Sequence, residues 1–192
     1  MAPIVPTPTT EQRAQSGLTR VVVTGSESTG KTELARALAS HYGTTWVPEF
    51  ARDYAERMGG ALTAADVAPI AAGHLALEDA AVKGAHGILF LDTDLVNTVV
   101  YAEHYYGAAD PWITQAAQNR LADLYLLCDI DHPWVADGVR DAQPHRGKMH
   151  DAFERHLSRF GATFRIVSGH DPVERLRRAI AHVEEWRRTR QR

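Results

Sequence analysis

Residues 21–34 read VVVTGSESTGKTEL: an apolar β-branched run, a turn bounded by two glycines, and the start of a helix. Gly25 to Thr32 fit the spacing GxxxxGK[ST], the pattern of a loop that cradles phosphate. Each residue type has a physical reason. Gly25 and Gly30 let the backbone turn tightly, so that the amides of Ser26, Glu27, Ser28 and Thr29 and the helix N-terminus can face the phosphates of a nucleotide. Lys31 is expected to contact the β- and γ-phosphates, and the Thr32 hydroxyl to ligate a magnesium ion. ATP and Mg²⁺ are therefore the expected small molecules.

Outward from this loop, short apolar runs alternate with long helical patterns, the signature of an α/β domain. Strands are expected at Arg20–Thr24, Thr44–Pro48, Gly87–Asp92, Leu124–Asp129 and Thr163–Val167. All are nearly continuous in apolar character because both faces of a parallel sheet are covered. Helices are expected at Lys31–His41, Glu49–Met58, Ala64–Lys83, Leu95–Tyr106, Ile113–Leu121, His150–Phe160 and Pro172–Arg188, the last with Asp171 as its N-cap. The resulting fold is a three-layer sandwich, a five-stranded, mainly parallel sheet flanked by helices. Residues 1–17 carry Pro3, Pro6 and Pro8 and no apolar period, and read as a flexible tail ahead of one domain over residues 18–192.

Composition narrows the function. The chain has 192 residues, enough for a full core without staples, and 21 Lys+Arg against 24 Asp+Glu, which gives no basic field for a nucleic-acid backbone. Cys128 is the only cysteine, so no disulfide can form within the chain and a reducing cytoplasm suits it. No run of about 18 apolar residues suggests a membrane span. The nearest histidines, His132, His145 and His150, lack the spacing of metal ligands on one helix face. Tyr101, Tyr105 and Tyr106 are expected to fill helix core and rim.

Three further segments are expected at the site. ILFLDTD, Ile88 to Asp94, is an apolar strand that ends in carboxylates on the sheet edge carrying the phosphate loop. Asp92 is expected to orient the metal shell, and Asp94, two residues on, shares its face if the strand continues. After the second strand comes PEFARDY, where Glu49 can orient or deprotonate an acceptor hydroxyl and Arg52 can steady a phosphate or a carboxylate. Beyond the fourth strand, DIDHPWVADGVRDAQPHR reads as a lid: Trp134 can stack on a cationic ring, and Arg140 or Arg146 can neutralise charge on the transferred group.

Taken together, GSESTGKTEL, PEFARDY, the Gly73-His74 pair within AAGH, LFLDTDLVNT and HPWVADGVRD resemble the ribosylnicotinamide kinase domain of NadR-type NAD-biosynthesis proteins, in the P-loop NTPase superfamily. The resemblance runs from Arg20 to the final helix. It implies transfer of the γ-phosphoryl of ATP, with Mg²⁺, to the 5'-hydroxyl of nicotinamide riboside. It also implies P-loop roles for Lys31 and Thr32, metal and acceptor roles for Asp92 and Asp94, and substrate and lid roles for Trp134, Asp137 and Arg140. Either Glu49 or one of the two aspartates serves as base. The chain has no length for the adenylyltransferase domain of full NadR proteins, so that activity is expected on a separate chain. Two other readings remain open: a P-loop kinase for another nucleoside or small metabolite, and an ATP-binding regulatory module without transfer.

Overall fold

The computed structural model describes residues 17–131 and 146–190. The five strands among them are β1 (Thr19–Thr24), β2 (Trp46–Val47), β3 (Ile88–Asp92), β4 (Leu124–Cys128) and β5 (Phe164–Val167). All pair in parallel, in the order β2-β3-β1-β4-β5, as the apolar runs predict. The second strand is shorter than expected, two residues rather than five. Thr44 sends its hydroxyl to the Ile88 carbonyl at 2.7 Å instead of joining the ladder, and Pro48 has no N–H to extend it.

Seven helices cover the sheet among the described residues: α1 (Lys31–Tyr42), α2 (Phe50–Met58), α3 (Val67–Gly84), α4 (Leu95–Tyr106), α5 (Pro111–Asn119), α6 (Arg146–Phe160) and α7 (Pro172–Arg190). Helix α5 begins two residues before the expected start because Pro111 takes the first helical turn, where its missing N–H costs nothing. As expected, Asp171 caps α7 by accepting the Glu174 N–H at 2.9 Å.

Alternation along each strand sorts side chains between two cores. Val22, Leu89, Leu91, Tyr125 and Leu127 pack with Val96, Val99, Ile113, Met149 and Phe153 on one face. Val21, Val23, Phe90, Leu124 and Leu126 pack with Leu34, Leu38, Ala179 and Val183 on the other. At the start of β1, buried Arg20 reaches Glu78 of α3 at 2.5 Å, and Arg120 bonds Asp79 at 2.5 Å. This ion network fixes α3 against the sheet, and with it the residues that α3 sends toward the opposite edge.

Candidate active site

Strand register alone brings the expected loop and carboxylates together. Val23 lies opposite Asp92, and Val47 opposite Leu91. Asp92 therefore ends β3 beside the start of the phosphate loop, and Glu49 follows two residues after the end of β2 on the same edge. On the other side Thr24 lies opposite Leu127. The loop is so close to β4 that a Cβ on Gly25, whose φ is 137°, would stand 3.0 Å from the Cys128 carbonyl oxygen. Here glycine is required both for its dihedral and for the approach.

Within the loop, Ser28 and Gly30 have left-handed backbones, with φ 52° and 71°. The Lys31 ammonium and the Thr29 hydroxyl both donate to the Ser26 carbonyl, each at 2.8 Å. Thr32 donates its hydroxyl to Asp92 Oδ2 at 2.6 Å. Asp92 is 0% exposed, and its Oδ1 has no hydrogen-bond partner. Burial first, and then the nearby charge of Glu49, push its carboxyl up to about 6, against the pull of Lys31 and Thr32.

A hydroxyl and a buried carboxylate with a free oxygen are the donor set of a magnesium ion, which takes few protein ligands and keeps water and phosphate oxygens. No group of three or more His, Cys, Asp or Glu among the described residues is arranged to hold a metal by itself. Thr32 and Asp92 could supply two ligands to such an ion.

The structure separates Asp94 from Asp92. Strand β3 stops at Asp92, and Thr93 takes φ 68°, which breaks the alternation that would have put both carboxylates on one face. Asp94 instead caps α4. Its Oδ1 accepts the Val96 N–H at 2.9 Å, and its Oδ2 accepts the buried Tyr125 hydroxyl at 2.6 Å. Burial raises its carboxyl to about 6 despite these bonds.

Glu49 is 5% exposed and stands at the N-cap of α2 without making a cap bond from its side chain. Arg52, one turn later and half-exposed, approaches it with Nε 3.9 Å from Oε2. At that distance in partial solvent the pair contributes little to stability. Glu27 of the loop accepts the Tyr105 hydroxyl at 3.1 Å, so one tyrosine read as helix rim reaches the site. Arg146 opens α6 and lies 3.4 Å from the Ser28 carbonyl. Trp134, Asp137 and Arg140 lie outside the described residues.

The Gly73-His74 pair on α3 acquires a physical reason. The far end of the Phe50 ring of α2 lies against Gly73, and a Cβ there would overlap it. Gly73 therefore sets how closely α2, and with it Glu49, docks on α3. His74 is 2% exposed, its Nε2 has no partner, and burial pulls its ring below the usual histidine range toward the neutral form. Gly73→Ala should destabilise the chain by about 1–3 kcal/mol, the usual effect of overpacking. Urea denaturation checks this, and an unchanged midpoint would show that Phe50 moves aside freely.

Sequence reasoning missed Arg175. This α7 arginine is buried and donates to the Thr29 carbonyl at 2.9 Å. Nothing local marks it, since it lies 146 residues from its partner in a helix with several exposed arginines.

A family model described as an AAA domain matches residues 20–175. The trifunctional NAD biosynthesis/regulator protein NadR of Escherichia coli (strain K12) is 33% identical over 171 residues, 86% of this chain and 42% of that protein. Its namesake in Salmonella typhimurium (strain LT2) is 39% identical over 124 residues, 62% of this chain and 30% of that protein. The chain thus spans less than half the length of these relatives. A crystal structure of NadR protein in complex with NR superposes with a TM-score of 0.78 at 28% identity, over 91% of this chain and 52% of that one. Another, in complex with NAD and AMP-PNP, gives 0.75 at 29% identity, over 88% and 49%. The thymidylate kinase of Ehrlichia chaffeensis shares the fold, with a TM-score of 0.60 at 15% identity over 88% of this chain and 98% of that one.

Proposed function

Since the chain belongs to the AAA domain family, matched from residue 20 to residue 175, we propose that it is an ATP-dependent kinase that phosphorylates the 5'-hydroxyl of nicotinamide riboside. The observation that carries the reading is the Thr32–Asp92 pair beside Lys31, with Glu49 close enough to raise Asp92, all on one edge of the sheet. The acceptor is named from the likeness to a NadR structure in complex with NR.

In this reading the amides of residues 25–32 and the N-terminus of α1 bind the β- and γ-phosphates. Lys31 offsets the charge that builds on the transferred group. Thr32 and Asp92 would hold a magnesium ion, which when bound would neutralise charge on the phosphate oxygens. Glu49 accepts the hydrogen bond of the acceptor hydroxyl and takes its proton as the bond to phosphorus forms and the bond from phosphorus to the β,γ-bridging oxygen breaks, with ADP leaving. Glu27, Glu49 and Asp92 are all buried at this edge, and their negative charge suits an acceptor with a cationic ring. Trp134 and Asp137 belong to the acceptor side and Arg140 to the lid. Asp94, with Oδ1 engaged in the cap and Oδ2 accepting the Tyr125 hydroxyl, shapes the start of α4 and is given no proton-transfer role.

The test is to incubate the purified chain with ATP, Mg²⁺ and a panel of nucleosides and to follow phosphorylated products by mass spectrometry. Nicotinamide mononucleotide as the dominant product supports the proposal. Another phosphorylated nucleoside in its place overturns the acceptor, and bound ATP with no product from any acceptor points to a regulatory module. Glu49→Gln should lower kcat by roughly 10²–10⁴-fold, the usual contribution of a general base, with ATP affinity retained. A variant that turns over like the wild type would remove Glu49 from the reaction.

A further inference from the structure

A loop that binds an anion through its N–H groups has a second requirement. Each peptide is planar, with its N–H and C=O pointing in opposite directions. An N–H aimed at phosphate therefore turns the carbonyl of the same peptide into the protein, where it needs a donor. The Thr29 carbonyl belongs to the peptide whose N–H is that of Gly30. It accepts from Arg175 at 2.9 Å, and this guanidinium is 3% exposed.

The other arm of Arg175 is also held. Nη1 lies 3.2 Å from Asp131 Oδ1, just beyond β4, and 3.4 Å from the Gly169 carbonyl, in the turn between β5 and α7. Asp131 in turn accepts the Gly169 N–H. The arrangement depends on a glycine: Gly169 has φ 128°, and a Cβ there would stand 3.2 Å from the Arg175 side chain. One buried cation thus joins the phosphate loop, the end of β4 and the turn into α7.

We propose that Arg175 is a positioning residue for the nucleotide donor. Resting on the reading that residues 25–32 bind ATP, it acts through the Thr29–Gly30 peptide, whose N–H it holds toward the phosphates. A cation on the carbonyl also polarises the peptide and makes that N–H a stronger donor. Both arms of Arg175 are engaged within the protein, so its effect falls on ATP through the loop and not on the second substrate.

The experiment titrates ATP into the wild type, Arg175→Lys and Arg175→Met by calorimetry, and measures the KM of both substrates. ATP binding should weaken by about 10-fold in Arg175→Met, the scale of a lost hydrogen bond to a charged group. In Arg175→Lys it should weaken by about 3-fold or more, because one ammonium cannot serve both the Thr29 carbonyl and Asp131. The acceptor KM should stay within about 2-fold. A purely structural arginine would lower the melting temperature and the active fraction without separating the two KM values. If the methionine variant fails to fold, the lysine variant, which keeps the buried charge, decides. Wild-type ATP affinity in the folded variants, or equal losses in both KM values, overturns this proposal alone. A wild type that binds no ATP overturns the kinase reading and this proposal with it.

Discussion

Lys31→Met should reduce phosphoryl transfer by roughly 10²–10³-fold, the scale of removing one preorganised charge from a transition state, and should leave the fold intact. The fold is expected to survive because the structural duties of Lys31 are small. Its ammonium donates to the Ser26 carbonyl, which the Thr29 hydroxyl also serves, so removing it orphans no buried acceptor. Its side chain is buried in the first turn of α1, and an unbranched methionine of similar length can fill that space. Initial rates at saturating ATP and acceptor, alongside a thermal melt, check both halves. Wild-type turnover would remove Lys31 from the phosphate site, and an unfolded variant would show that its bond to Ser26 holds the loop.

Asp92→Asn should have two effects of opposite sign. Transfer should fall by roughly 10²-fold or more, because the carboxylate that pairs with Thr32 and fits the metal is gone. Stability of the nucleotide-free protein at pH 7 should rise. The folded protein holds the Asp92 proton up to about pH 6, against an ordinary value of 3.8. The folded state therefore binds this proton more tightly than the unfolded chain. Stability from this group is fully present below 3.8 and is lost as pH rises through about 6. By pH 7 the difference amounts to about 3 kcal/mol, at about 1.4 kcal/mol per pH unit. Asparagine removes the charge and, with it, most of this loss. Melts in chelator at pH 5 and pH 7 read the effect as a difference between the two proteins: going from pH 5 to pH 7 should cost the wild type more melting temperature than the variant, while buried His74, held below the usual histidine range, shifts both proteins the other way. Asp94, raised to about 6 by burial, keeps part of the slope in both proteins. A variant less stable than the wild type at pH 7 would show that the bond from Thr32 outweighs the burial of charge.

The sheet and the phosphate loop were legible in the sequence because a single local physics writes both. Strands covered on two faces must be apolar throughout, and a loop that binds through its backbone must carry glycine at fixed places. Register then carried Asp92 and Glu49 to the loop with no further information. What was not legible depended on contacts between distant segments. Nothing in DTD announces that Thr93, a β-branched residue poorly suited to positive φ, turns the chain so that Asp94 caps α4 against Tyr125. The Gly73-His74 pair stood out in the sequence, but the reason for its glycine is the ring of Phe50, 23 residues earlier. Arg175 carried no mark because its partner is a backbone carbonyl, and a carbonyl has no letter in a sequence.

The order of the strands also bears on how the chain is made. Strand β1 pairs with β3 and β4 and not with β2, its first partners being Ile88 for Thr19 and Leu124 for Val21. A ribosome must therefore deliver the chain through β3 before the Val21–Val23 run has any edge to join, and through β4 before it is enclosed on both sides. During that interval an apolar, β-branched segment waits unpaired, the kind of segment that aggregates or is held by chaperones. Synonymous codons that slow translation between residues 42 and 88 would lengthen this exposure, whereas a pause late enough for Cys128 to have left the ribosome would come when the central three strands can already close.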